Sequence, residues 1–199
     1  MKISVIVAHP NPASFNHAIA QAAIAELMQN GHEAVFHDLH AEKFDPLLMF
    51  EEIPMQAAPP PEIAAQSREI AEADGIIVVH PNWWSQPPAI LKGWLDRVLR
   101  PGVAYKFGAG PNGEGIIIGL LKAKAALVFT TSNTPADKEL ELYGDPLEGL
   151  WKRCVWGFCG VKTVHRELFS VIITSTPAQR DAWLKKTRKI VREYFPTCG

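Results

Sequence analysis

Three runs of this 199-residue chain are apolar at nearly every position: Ile3–Ala8, Gly75–His80 and Ala125–Thr130. A strand with one wet face alternates apolar with polar residues. A run without alternation belongs where both faces are covered, which is the situation of a parallel sheet between two layers of helices. The intervening segments fit that frame. Asn16–Asn30 places Ile19, Ala22, Ala23 and Leu27 at helical spacing and stops at Gly31. Glu33–Leu39 reads as a strand, Glu62–Ala73 as a helix, and Ala89–Leu99 as a helix opened by Pro87-Pro88. Pro146–Gly157, Thr163–Val171 and Pro177–Tyr194 read as helix, strand and closing helix. The alternation predicts an α/β fold with right-handed crossovers, as one domain over residues 1–199. Asp45–Pro61 and the glycine-rich Arg100–Gly115 read as long irregular loops.

Composition excludes some functions. Basic and acidic residues number 20 and 21, a formal charge of −1, so no bulk field favours nucleic acid or an anionic membrane. The apolar start is cut off by His9-Pro10, and Ile116–Leu121 ends at Lys122; neither run is long enough to span a bilayer. Cys154, Cys159 and Cys198 read as reduced thiols, which points to the cytoplasm.

In an open parallel sheet, ligands sit beyond the carboxyl ends of the strands, where strand order reverses. Three loops fall there. The first, His9 to Asn16, leads into a helix with Ser14 and Asn16 as capping residues, a ready place for a phosphate. The second, His80 to Pro88, carries Trp83 and Trp84 directly after a buried strand, where they can cover a planar ring or close the top of the core. The third, Thr130 to Pro135, is short and rich in small hydrogen-bonding groups. Two other patterns are set aside. Gly108 to Gly113 fits G-x-G-x-x-G but lacks the strand before and helix after that give the pattern meaning. His32, His37 and His40 lack metal-ligand spacing and read as solvated, with no metal site expected.

These loops resemble those of the NAD(P)H:quinone oxidoreductases, the DT-diaphorase-like family of flavodoxin-like fold. Ala8-His9 with Ser14-Phe15-Asn16 is similar to the family's first flavin loop. Pro81-Asn82-Trp83-Trp84-Ser85, followed by Pro88 to Trp94 and Arg97-Val98, is similar to its second, and Thr130-Thr131 to its third. The resemblance runs through Gln66, residues 158–160 and Thr176-Pro177-Ala178, and so spans the chain.

The resemblance implies a doubly wound, flavodoxin-like sandwich with a five-stranded parallel sheet in the order 2-1-3-4-5. It implies FAD, with FMN as the alternative, and NAD(P)H as hydride donor. His9, Ser14, Phe15, Asn16 and Gln66 would hold the flavin's phosphate and far end. Pro81, Asn82, Trp83 and Trp84 would lie along its ring, and Thr130, Thr131, Ser132 and Asn133 at its polar edge. Val103, Ala104 and Tyr105 would form a substrate pocket completed by the partner in a homodimer, with a quinone-like acceptor. The family's third loop continues with two glycines where this chain has Ser132-Asn133. Tyr143-Gly144-Asp145 stands where the animal enzymes have a histidine, so Tyr143 becomes a candidate proton donor or ring contact. An electron-carrying flavodoxin and an ancillary subunit of a potassium-efflux system are the rival readings.

Overall fold

A computed structural model describes residues 1–197 of the chain. In chain order the elements are β1 (Lys2–Val7), α1 (Phe15–Gln29), β2 (Glu33–Asp38), α2 (Pro61–Glu72), β3 (Gly75–Pro81) and α3 (Ala89–Val98). There follow β4 (Tyr105–Ala109), β5 (Gly115–Gly119), β6 (Ala125–Ser132), α4 (Ala136–Tyr143), α5 (Pro146–Gly149), β7 (Thr163–Ser170) and α6 (Pro177–Tyr194). Five strands form a parallel sheet in the order β2-β1-β3-β6-β7, which is the expected order once β4 and β5 are counted. No helix among the described residues is long and apolar enough to cross a membrane.

The apolar runs explain the layering. Side chains alternate across a strand, so Ile76 and Val78 of β3 enter one core while Ile77 and Val79 enter the other. The first core is closed by Ile63 and Ile70 of α2, by Leu91 and Trp94 of α3, and by Trp151 and Trp156. The second is closed by Ile19, Ala23 and Leu27 of α1 and by Ile190 and Val191 of α6. Each fully buried Ile, Leu or Val contributes about 1.5–3 kcal/mol relative to exposure, which makes these two faces the main source of stability.

Four expectations need correction. Residues 100–115 are not an irregular loop, because β4 pairs antiparallel with β5, from Tyr105↔Gly119 to Ala109↔Gly115. The rejected glycine pattern forms the end of β4 and the turn of this hairpin. At its base the hairpin lies against the backbone after α5: a Cβ on Gly119 would stand 2.2 Å from the Gly160 nitrogen, so only glycine fits. Residues 146–157 begin as α5 but continue as a π-helix over Leu150–Gly157. The helix α4 was not anticipated. The histidines are not solvated: His32 is buried and bonded to the carbonyls of Phe195 and Pro196, and His37 lies between Glu42 and Glu69 at 2.9 and 2.6 Å. Among the described residues no group of three or more His, Cys, Asp or Glu is placed to hold a metal.

The irregular 45–61 segment is pinned to α3. Arg97 donates to both carboxylate oxygens of buried Glu52, at 3.2 and 3.0 Å, and to the Asp45 carbonyl at 2.6 Å. Arg100 adds bonds to the carbonyls of Glu52 and Ala57. A Cβ on Gly93 would meet the Pro46 carbonyl oxygen at 2.2 Å, so this segment crosses α3 at backbone distance. Cys154 is exposed and Cys159 buried, and both are free; burial pushes the Cys159 thiol up to about 11. Cys198 lies outside the described residues.

His80, at the end of β3, is fully buried. Its Nδ1–H donates to the Pro81 carbonyl at 2.8 Å, and its Nε2 accepts from the Trp151 indole N–H at 3.0 Å. Burial, with a smaller push from Arg166, lowers its pKa from 6.5 to about 3. The unfolded chain therefore binds a proton that the folded chain refuses between those values, and stability falls as pH drops below 6.5. We predict that the urea midpoint declines between pH 6.5 and 5, before most unfolded-state carboxylates titrate, and that His80→Gln flattens the decline. Replacing Trp151 with Phe leaves Nε2 unpartnered and should cost about 1–3 kcal/mol at pH 7.

Candidate cofactor and active site

The carboxyl ends of β1, β3 and β6 open onto a cavity of ≈ 410 Å³. Its wall includes His9, Ser14, Phe15 and Asn16 from the first loop, Pro81, Asn82 and Trp83 from the second, and Thr131, Ser132 and Asn133 from the third. Buried sheet geometry sets these loops together. The Ala8 N–H bonds the Val79 carbonyl at 3.0 Å and the Asn82 N–H bonds the Thr131 carbonyl at 2.7 Å, extending the strand pairing into the loops. Between them, Asn16 and Thr131 exchange two hydrogen bonds: the amide donates at 3.0 Å and the hydroxyl donates back at 3.2 Å. That pair ties the start of α1 to the end of β6 across 115 residues of chain.

The first turn of α1 supplies backbone donors that have no intrahelical acceptor. Ser14 caps it, its Oγ accepting from the His17 N–H at 3.3 Å. The same hydroxyl lies 2.8 Å from His17 Nδ1, and His17 Nε2 lies 2.9 Å from Asp38. Burial alone would push the Asp38 carboxyl up. Hydrogen bonds from His17 and from the N–H groups of Ala41 and His40 outweigh it and hold the group below its ordinary range. The His9 pKa is lowered as well, chiefly by burial, with His17 and His40 adding to the effect, which favours the neutral ring.

Phe15 is backed by Phe169 and Trp183, with ring centroids at 6.4 and 5.8 Å, and covered by the Arg180 guanidinium 5.7 Å from its ring. Arg180 is the residue that sequence reasoning missed. It brings a cation to the cavity wall, held by bonds to Ser175 Oγ and the Ile172 carbonyl. The only signal for it was its position just after the Thr176 cap of α6. Phe15 and Arg180 also line an adjoining pocket of ≈ 470 Å³ with Pro177 and Leu184.

On the other side, Asn82 and Thr134 join the first cavity to one of ≈ 560 Å³ that Trp84, Gln86, Glu139 and Tyr143 also line. Tyr143 is thus beside the site, half-exposed on the unanticipated helix α4. The side chains replacing the family's two glycines fit without strain: neither residue 132 nor 133 has positive φ. Ser132 Oγ accepts the Thr134 N–H and Asn133 Oδ1 the Ile173 N–H, both at 2.9 Å.

Three sets of expected residues stand apart from these cavities. Thr130 is fully buried in β6, its hydroxyl donating to the Glu167 carbonyl at 3.3 Å. Gln66 on α2 accepts the Trp94 indole N–H at 2.6 Å and donates to Glu42 at 3.2 Å. Ala104 is buried with its carbonyl bonded to Leu120, and the Tyr105 ring packs on Phe158 at 4.8 Å, with Val103 just before them.

A family model described as the flavodoxin-like fold matches residues 1–194. The chain belongs to this family. It is 39% identical over 172 residues to an uncharacterized NAD(P)H oxidoreductase of Haemophilus influenzae, covering 84% of this chain and 83% of that protein. It is 30% identical to NAD(P)H dehydrogenase [quinone] 1 of Cavia porcellus, covering 94% and 76%. The structure of an NAD(P)H:quinone oxidoreductase from Methanothermobacter marburgensis superposes with a TM-score of 0.80 at 26% identity, covering 97% of this chain and 96% of that one. The membership inferred from the loops is therefore established: this is a chain of the NAD(P)H:quinone oxidoreductase family, a family of enzymes.

The Asn16–Thr131 pair yields a stability prediction. Thr131→Val should leave a buried amide unpartnered and cost about 1–3 kcal/mol in urea denaturation, while Thr131→Ser keeps most of the wild-type value.

Proposed function

We propose that the protein is a flavin-dependent oxidoreductase that takes two electrons from NAD(P)H and passes them to a quinone-like acceptor. The observation that carries this reading is the Asn82 side-chain oxygen, buried at the junction of the two cavities with no hydrogen-bond partner among the described residues. A buried acceptor without a donor costs free energy, so it argues for a ligand that brings one. The surrounding residues fit a flavin. Trp83 offers an aromatic face, residues 131–133 offer small polar groups to a ring edge, and the α1 N-terminus and Arg180 suit phosphate.

When bound, the flavin supplies the hydride chemistry. The chain's own residues would do the rest. Ser14, Phe15, Asn16 and Arg180 would bind the phosphate end, with neutral His9 beside it. Backbone N–H groups of the 132–133 segment would favour negative charge at the ring's polar edge. Tyr143 would present its hydroxyl as proton donor from the second cavity. The pocket beyond Phe15 and Arg180 gives room for a second nucleoside, which supports FAD over FMN. Val103, Ala104 and Tyr105, apart from the cavities at the carboxyl end of the sheet, suit a role in a partner's site. The neighbouring hairpin carries exposed Phe107 and Ile117, as a dimer face would. The free, exposed Cys154 accords with a cytoplasmic protein.

The purified protein should be yellow, lose its colour on anaerobic addition of NADH or NADPH, and regain it with benzoquinone. Failure to bind either flavin on reconstitution would overturn the reading. Trp83→Ala should weaken flavin binding a few-fold to about tenfold, on the scale of one aromatic contact of about 0.5–1.5 kcal/mol. Arg180→Ala should weaken FAD but leave riboflavin, which has no phosphate, unchanged.

A further inference from the structure

The second loop ends in an unusual turn. Trp83 and Gln86 exchange backbone hydrogen bonds at 3.1 and 3.0 Å, and the two residues between them, Trp84 and Ser85, both have positive φ, at 56° and 54°. A two-residue turn of this hand normally uses glycine or asparagine. Two bulkier residues there store strain that something must offset. The structure contains one evident fastening: the Ser85 hydroxyl donates to Glu139 Oε1 at 2.5 Å. Glu139 is only 2% exposed, whereas Trp84, one residue before the fastening, is 99% exposed.

Glu139 lies on α4 one turn before Tyr143, and both line the ≈ 560 Å³ cavity with Trp84. Every other residue lining that cavity is uncharged. Arg166, which approaches from β7, is engaged by Asp145 at 2.6 Å and does not line it. The cavity therefore has aromatic walls and a single, negative, poorly solvated charge. A charge in such a place acts strongly on a charged ligand and little on a neutral one.

We propose that Glu139 sets the acceptor specificity of this cavity, admitting neutral and cationic aromatic rings and disfavouring anionic ones, while its bond to Ser85 holds Trp84 at the rim. This rests on the reading that the acceptor enters here. It adds what kind of acceptor is taken and which side chain decides.

The test uses oxidised, flavin-loaded protein without nicotinamide. It is titrated with a neutral naphthoquinone, its sulfonate and a trimethylammonium analogue. Binding is followed by quenching of tryptophan emission, and Trp84→Phe identifies the signal. The wild type should bind the sulfonate about tenfold more weakly than the neutral parent. E139Q should bring the two within about twofold and cost the cationic analogue its advantage. E139D should keep the discrimination. S85A should weaken all three ligands alike and leave their ratios unchanged. A sulfonate bound as well as its parent by the wild type, or a gap that survives E139Q, would overturn the proposal. Flavin content and bleaching by NAD(P)H, measured on the same samples, separate that outcome from failure of the oxidoreductase reading. If E139Q does not fold, E139A, expected to close the gap between sulfonate and parent in the same way, decides.

Discussion

The pairing of β3 with β6 is the interaction on which the rest of this structure depends. The two strands run side by side for seven residue pairs, from Gly75↔Ala125 to Pro81↔Thr131, at the centre of the sheet. Both are buried throughout, so neither face of the sheet has room for a solvated polar group. Polar chemistry is driven to the place where the pairing ends. The Asn82 N–H carries the ladder one bond further, to the Thr131 carbonyl, and Thr131 in turn grips Asn16. Three loops distant in sequence are thus placed by the end of one strand ladder and a single side-chain pair.

That scaffold divides the labour between two sides of the opening. Toward α1 and α6 the wall offers helix N–H groups, a guanidinium and neutral imidazole, which suits phosphate. Toward α4 it offers aromatic rings and one carboxylate, which suits an uncharged ring. Asn82 lies at the junction and contributes to both. His80, directly before the second loop, anchors the strand end from within by accepting from Trp151, so the site rests on a polar group that burial keeps neutral well into the acid range.

What the sequence made legible follows from these physics. The apolar runs identified the three central strands of the main sheet, because burial on both faces leaves no alternation to confuse; the half-buried edge strands β2 and β7 had to be read from the order of elements around them. The three loops followed from the strand ends. Other features left weaker traces. The hairpin β4–β5 hid because Gly108, Gly115 and Gly119 suggest a loop and its alternation is poor. Helix α4 hid because its large apolar residues, Leu140, Leu142 and Tyr143, are exposed and trace no buried stripe. Eight residues cannot distinguish a π-helix from an α-helix by periodicity. Arg180 reaches the cavity from an element far down the chain, with nothing local to mark it. Gln66 and residues 103–105 came from family resemblance rather than local pattern, and a single chain leaves them apart from the cavities at its strand ends.

The hairpin's two ends face different constraints. Gly119 touches the Cys159–Gly160 backbone so closely that no side chain fits, whereas Gly113 at the turn has nothing within 4 Å of the position a Cβ would take. As such chains diverge, the base has one permitted residue, and the tip is free to lengthen. New loops can therefore grow outward from the turn without disturbing the sheet. The hairpin is a place where one scaffold can acquire different attachments while its cofactor end stays the same.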